Sequence, residues 1–254
     1  MTGRNERQQV LETETICYCF TLSDGTQEIF NLRLDTEHLE LRGNTPEALP
    51  DWTRLEFHQC PHCPLTPETH PHCPLAANLV NIVSRFDGLL SHDDLRLDVI
   101  TNERVISQDT TAQRGISSLM GLVIATSGCP HTAFFRPMAR FHLPLSTKEE
   151  TAYRATSMYM LAQYFLNREG KDVDLELDGL REIYRNMQKI NASIIERLRS
   201  ATETDSTVNA IIVLDIHAKT IEVVLKDSLE DIRRLFDPFF ERVDNLTNHR
   251  SAPS

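Results

Sequence analysis

The chain is short of most features that announce a function. It has no basic block, no long apolar run, and no Gly-x-Ser-x-Gly, P-loop or Gly-x-Gly-x-x-Gly motif. Its formal net charge is −11, set by 37 acidic against 26 basic residues. A chain of that sign is poorly suited to tracking a phosphate backbone or an anionic membrane surface, so no nucleic acid and no membrane partner is expected. The most apolar stretches, Ile116–Ala125 and Ala210–Leu214, are far shorter than the roughly 20 residues a membrane-spanning helix needs. The first ten residues lack the apolar segment of a signal peptide, which points to a cytoplasmic location. In that reducing compartment, six cysteines argue for metal binding or thiol redox chemistry rather than a disulfide framework.

What is present divides into five segments, read as one globular unit of α+β class. Residues 1–14 are polar and expected to be disordered. Residues 15–57 read as a small antiparallel sheet. Ile16, Tyr18, Phe20 and Leu22 alternate with polar or small residues, and Asp24-Gly25 supplies a hairpin turn. Phe30, Leu32 and Leu34 then resume the alternation. Leu39 and Leu41 suggest a third strand, and Leu55 and Phe57 a fourth. Residues 75–240 read as mainly helical, packed on the sheet as a C-terminal helical bundle. They include a helix at about Leu75–Phe86 and an extended pair near Leu95–Val99 and Val105–Ser107.

Further helices are expected around Ile116–Val123 and from a capping box to about Arg168. Either Ser146 with Glu149 or Thr147 with Glu150 forms that box, and Gly170 ends the helix. Leu180, Ile183, Met187, Ile190, Ile194 and Leu198 form one apolar seam, compatible with a homodimer through that helix. Val208–Leu225 reads as a central helix, and a last one begins at Ser228 and stops at Pro238. Residues 241–254 are expected to fray.

Between sheet and helices, residues 58–74 form a loop holding three cysteines, four histidines and five prolines in seventeen residues. That much proline excludes regular structure, and so few large apolar side chains cannot fix the loop by packing. Cys60-Pro-His-Cys63-Pro-Leu, His70-Pro-His-Cys73-Pro-Leu and Gly128-Cys129-Pro-His131 repeat one pattern. A C-x-x-C turn brings two thiolates onto one ion, and a following proline stiffens it. Cys60, Cys63 and Cys73 are therefore assigned to one metal site, with Cys129 as fourth ligand and His58, His62, His70, His72 and His131 as substitutes. A ligand from a distant helix end would join the sheet layer to the helical layer.

Zinc suits this donor set, since a borderline-soft ion accepts imidazole as readily as thiolate. An iron–sulfur cluster uses the same four cysteines, and a metal-free Cys60/Cys63 redox pair is a third reading. Against the last, no helix can begin at Cys63-Pro64-Leu65-Thr66-Pro67. Cys17 and Cys19 alternate on one strand and belong to the core or the sheet surface. Arg136, Arg140 and His142 read as the polar face of a short helix with Phe134, Phe135 and Met138 inward. Glu149 and Glu150 read as capping residues, and His217 as a core histidine. No residue is assigned a catalytic role.

Three segments, Trp52–Leu65, Ser127–Phe135 and Met158–Phe165, resemble a bacterial protein family built on a domain of unknown function. The resemblance extends from about residue 15 to 240, implies one coherent domain, and carries no activity. The function expected from the sequence is thus a zinc-favouring cytosolic regulatory or adaptor protein, or else an iron–sulfur or dithiol redox sensor. Whether it is an enzyme is left open.

Overall fold

A computed structural model describes residues 13–242. The expected disorder at 1–14 and fraying at 241–254 lie outside these residues except at Thr13 and Glu14, which are strand, and at 241–242, which are helical. Five strands, β1 (Thr13–Leu22), β2 (Gln27–Asp35), β3 (Leu41–Arg42), β4 (Asp94–Ile100) and β5 (Val105–Thr111), form one sheet in the order β3-β2-β1-β4-β5. Every pairing is antiparallel, with Tyr18 opposite Phe30 and Val99. The extended pair at 95–107 is therefore part of the N-terminal sheet and adds its fourth and fifth strands.

The period-2 alternation divides the sheet cleanly. Ile16, Tyr18, Phe20, Phe30, Leu32, Leu34, Leu95, Leu97 and Val99 are buried on one face, while Cys17 and Cys19 lie on the other and are part-exposed. Onto the apolar face pack α1 (Pro74–Phe86) and α2 (Ala112–Thr126), through residues such as Leu79, Phe86, Ile116 and Leu119. Gly115 permits the close approach, because a Cβ there would stand 3.1 Å from the Phe20 ring.

The remaining helices are α3 (Arg136–Arg140), α4 (Lys148–Arg168), α5 (Asp178–Arg199) and α6 (Ser206–Arg233). Thr147 caps α4 in a reciprocal box with Glu150, which selects the second of the two expected pairs. Gly170, at φ +72°, ends the helix region as expected. The α5 seam is spent inside the chain: Leu180, Ile190, Ile194 and Leu198 are all at most 1% exposed. That face is not offered to a second copy.

Three local expectations are corrected. Leu55 and Phe57 form no strand; the segment is a short 3-10 helix at Asp51–Thr53 followed by turns. Two alternating apolar positions are too few to outweigh a hydrogen-bond donor that draws this backbone elsewhere, described below. Ser228 lies within α6 rather than capping a new helix, and helical turns resume at 237–242 across Pro238. Proline is tolerated in a helix's first turn, where its missing N–H costs nothing. Phe134 is 56% exposed rather than inward. Phe134 lies in a short 3-10 turn at Ala133–Phe135, and the helix that follows it, Arg136–Arg140, is fixed by ion pairs from Arg136 to Glu40 and from Arg140 to the buried Glu14, at 2.5 and 2.8 Å.

Candidate metal centre

The Pro-rich loop is closed at its base by backbone pairing. The Leu55 N–H donates to the Pro71 carbonyl at 3.0 Å and the Cys73 N–H to the Thr53 carbonyl at 2.8 Å. Arg54 and His72 form an isolated antiparallel bridge between them. Cys73 then serves as N-cap of α1, whose first residue is Pro74. Within the loop the Cys63 N–H closes a turn onto the Cys60 carbonyl at 3.0 Å, the local geometry that C-x-x-C was expected to adopt.

Cys129 arrives from the opposite direction. α2 ends at Thr126 with Ser127 as its C-cap, and Gly128, at φ +84°, turns the chain back. The Cys129 N–H donates to Ser127 Oγ at 3.3 Å, and Cys129 itself is 9% exposed. Two residues on, His131 donates from Nε2 to the His62 carbonyl at 2.8 Å, with the two imidazole rings 4.2 Å apart. This contact places the end of α2 against the C-x-x-C turn.

The four thiols are electrostatic neighbours. Burial pushes Cys129 up to about 12, with Cys73, Cys60 and Cys63 adding to the rise and a hydrogen bond from the His131 backbone opposing it. Burial likewise raises Cys60, opposed by the Ser193 side chain that hydrogen-bonds it and by Arg197. The cysteines are gathered without standing at ligating separations: among the described residues, no group of three or more His, Cys, Asp or Glu is arranged to hold a metal ion. All six cysteines are free.

Of the five histidines named as substitutes, His62 and His131 lie at the thiols. Both ring nitrogens of His62 are buried and have no partner, and burial, followed by the nearby His131, holds its pKa down. His58 and His70 are exposed. His72 is engaged through Nδ1 with the Thr53 hydroxyl at 2.7 Å.

The sequence reading missed Arg197. This α5 residue is 1% exposed and donates from Nη1 to the carbonyls of Trp52 and Arg54, both at 2.7 Å, and from Nη2 to Leu55 at 3.0 Å. It has no carboxylate partner among the described residues; the groups that act on it are Cys73, Cys60 and Cys63. Its signal was present in the sequence, because Arg197 falls three residues after Ile194 and seven after Ile190, on the apolar seam. A charge on such a stripe needs a buried partner. The other expected site candidates lie elsewhere, with His142 against Tyr18 and His217 half-buried on α6.

As a donor set the four cysteines fit zinc in type and number, and the unpartnered imidazole of His62 adds a nitrogen that zinc also accepts. Among the described residues, no helix is long and apolar enough to cross a membrane. No curated protein and no solved structure is similar to the chain. Residues 16–237 match the family described as domain of unknown function DUF6901, and the chain belongs to that family.

Proposed function

We propose that Cys60, Cys63, Cys73 and Cys129 hold one zinc ion, and that the protein is a metal-dependent regulatory or adaptor protein of a reducing, cytoplasmic compartment. The observation that carries this reading is that four thiols, from the Pro-rich loop, the start of α1 and the end of α2, are electrostatic neighbours beside a buried guanidinium that has no carboxylate partner among the described residues. Four thiolates on a divalent ion leave about two net negative charges, and a neighbouring cation offsets part of that charge at low dielectric. Arg197 is such a cation.

Four protein ligands leave no open position for a substrate, so the zinc is structural rather than catalytic. Its effect is to tie the Pro-rich loop to the ends of α1 and α2. Packing alone does not hold that loop, since its cysteines and most of its prolines are at least partly exposed.

The test is elemental analysis with a visible spectrum on protein purified anaerobically and without a metal-binding tag. One equivalent of zinc and no colour is the expected result. Iron with sulfide and a brown colour would assign the same cysteines to a redox cluster and overturn the zinc reading. Absence of any metal after zinc reconstitution would overturn the centre altogether.

A further inference from the structure

A second site lies in the helical layer, away from the cysteines. A cavity of about 390 Å³ opens between α2, α5 and α6, with α3 and the first turns of α4 completing its wall. That volume is in the range of small-molecule pockets, roughly 300–1,000 Å³. Its body is apolar, formed by residues such as Leu122, Met138, Met187 and Leu214.

Charge is distributed unevenly around it. Three cations, Arg114, Lys148 and Arg154, line the cavity together with the imidazoles of His142 and His217, and no Asp or Glu does among the described residues. In a chain of net charge −11, composition alone would favour the opposite. Arg114 and Lys148 are exposed and form no ion pair among the described residues. Both act on His217 from their own helices, so the three groups converge at one place. Arg154 is held by Nη2 donating to the carbonyls of Met138 and Phe141 at 2.9 and 2.7 Å. Tyr184 and Glu150 act on it electrostatically, and it makes no ion pair with Glu150. On α5, both polar atoms of Asn191 are buried beside the cavity without a partner.

An apolar chamber edged by cations that pair with no acid among the described residues matches a molecule that is apolar along its length and anionic at one end. We propose that this cavity binds a medium-chain carboxylic acid, its hydrocarbon between α2, α5 and α6 and its carboxylate at Arg114, Lys148 and His217. The site is independent of the zinc reading, because none of the four cysteines lines it.

The experiment is calorimetric titration of the full chain with decanoate below its micellar concentration. Decanol and decyltrimethylammonium serve as neutral and cationic probes of equal chain length. Decanoate is expected to bind one to one, at least tenfold tighter than either. The double variant Arg114→Ala/Lys148→Ala, which alters only exposed side chains, is expected to weaken decanoate at least tenfold and leave the decanol titration and the circular dichroism melt unchanged. Arg104→Ala, on the β4–β5 turn, is expected to change nothing. No decanoate binding, equal affinity for decanol, an unchanged double variant, or an equal loss in Arg104→Ala would each overturn the site.

Discussion

Arg197 donates a 2.7 Å hydrogen bond to the carbonyl oxygen of Trp52 across 145 positions of sequence. With the bonds to Arg54 and Leu55 it presents a charged fork to three carbonyls of one turn. The planar guanidinium suits this task, since several donors meet several acceptors for one side chain ordered. The same bonds explain why Leu55 and Phe57 abandon strand geometry: the turn is shaped to aim its carbonyls at α5.

Replacing Arg197 by Met removes the donors and leaves three carbonyls short of a partner. We expect a loss of about 3–5 kcal/mol, of the size seen when buried charged networks are broken. Arg197→Lys keeps the charge but not the fork and should fall between the two. Urea denaturation of chelator-treated protein is the decisive measurement, because these bonds do not depend on a metal. An unchanged midpoint in Arg197→Met under those conditions would mean the turn is held by something else.

The cysteines make separate predictions. If zinc ties the loop to α1 and α2, a chelator should lower the melting temperature of the unaltered protein. Occupancy a thousandfold above the dissociation constant is worth about 4 kcal/mol, or roughly 8–16 °C in a chain of this size. Cys129→Ala should bind less than one equivalent and melt at the same temperature with and without chelator. Cys17→Ala and Cys19→Ala, on the outer face of β1, should keep full metal content. Full occupancy in Cys129→Ala would promote His62 or His131 to the fourth position.

Much of this arrangement was legible in the sequence, for reasons that individual residues make plain. Ile16, Tyr18 and Phe20 show their face through alternation, because strand side chains repeat every two residues whatever packs above them. Cys129 was linked to the loop by its Cys-Pro-His setting. Arg197 and Asn191 are masked by the apolar members of the seam, although the polar exceptions on such a stripe carry the information. The cavity left no signal at all. It is a volume enclosed by helices from residue 114 to 218, and no local period encodes the space between side chains that meet only after folding.

The α4 cap offers a measurement of a purely local effect. The Glu150 N–H donates to Thr147 Oγ1 at 3.2 Å, and the Thr147 N–H donates to Glu150 Oε2 at 2.7 Å. Thr147→Ala should cost about 1 kcal/mol, roughly 2–4 °C, whereas Glu149→Ala should cost less than half as much. Equal losses in both would indicate that acidic charge at the helix start, rather than the reciprocal box, carries the stabilisation.

His142 sets a pH dependence. It sits against the Tyr18 hydroxyl, which also meets Ser118 Oγ at 3.1 Å, and burial, assisted by Arg154, lowers its pKa from 6.5 to about 3. Between those values the unfolded chain holds a proton at this position that the folded chain does not. Stability is therefore undiminished above pH 6.5, falls as pH drops below it by about 1.4 kcal/mol per unit, and levels off near pH 3. From pH 7 to pH 5 the His142 share is about 2 kcal/mol. Urea titrations at the two pH values should show His142→Asn losing that much less than the unaltered protein, whose carboxylates contribute equally in both. Parallel losses in the two proteins would mean that His142 takes up its proton without unfolding, through opening of the contact with Tyr18.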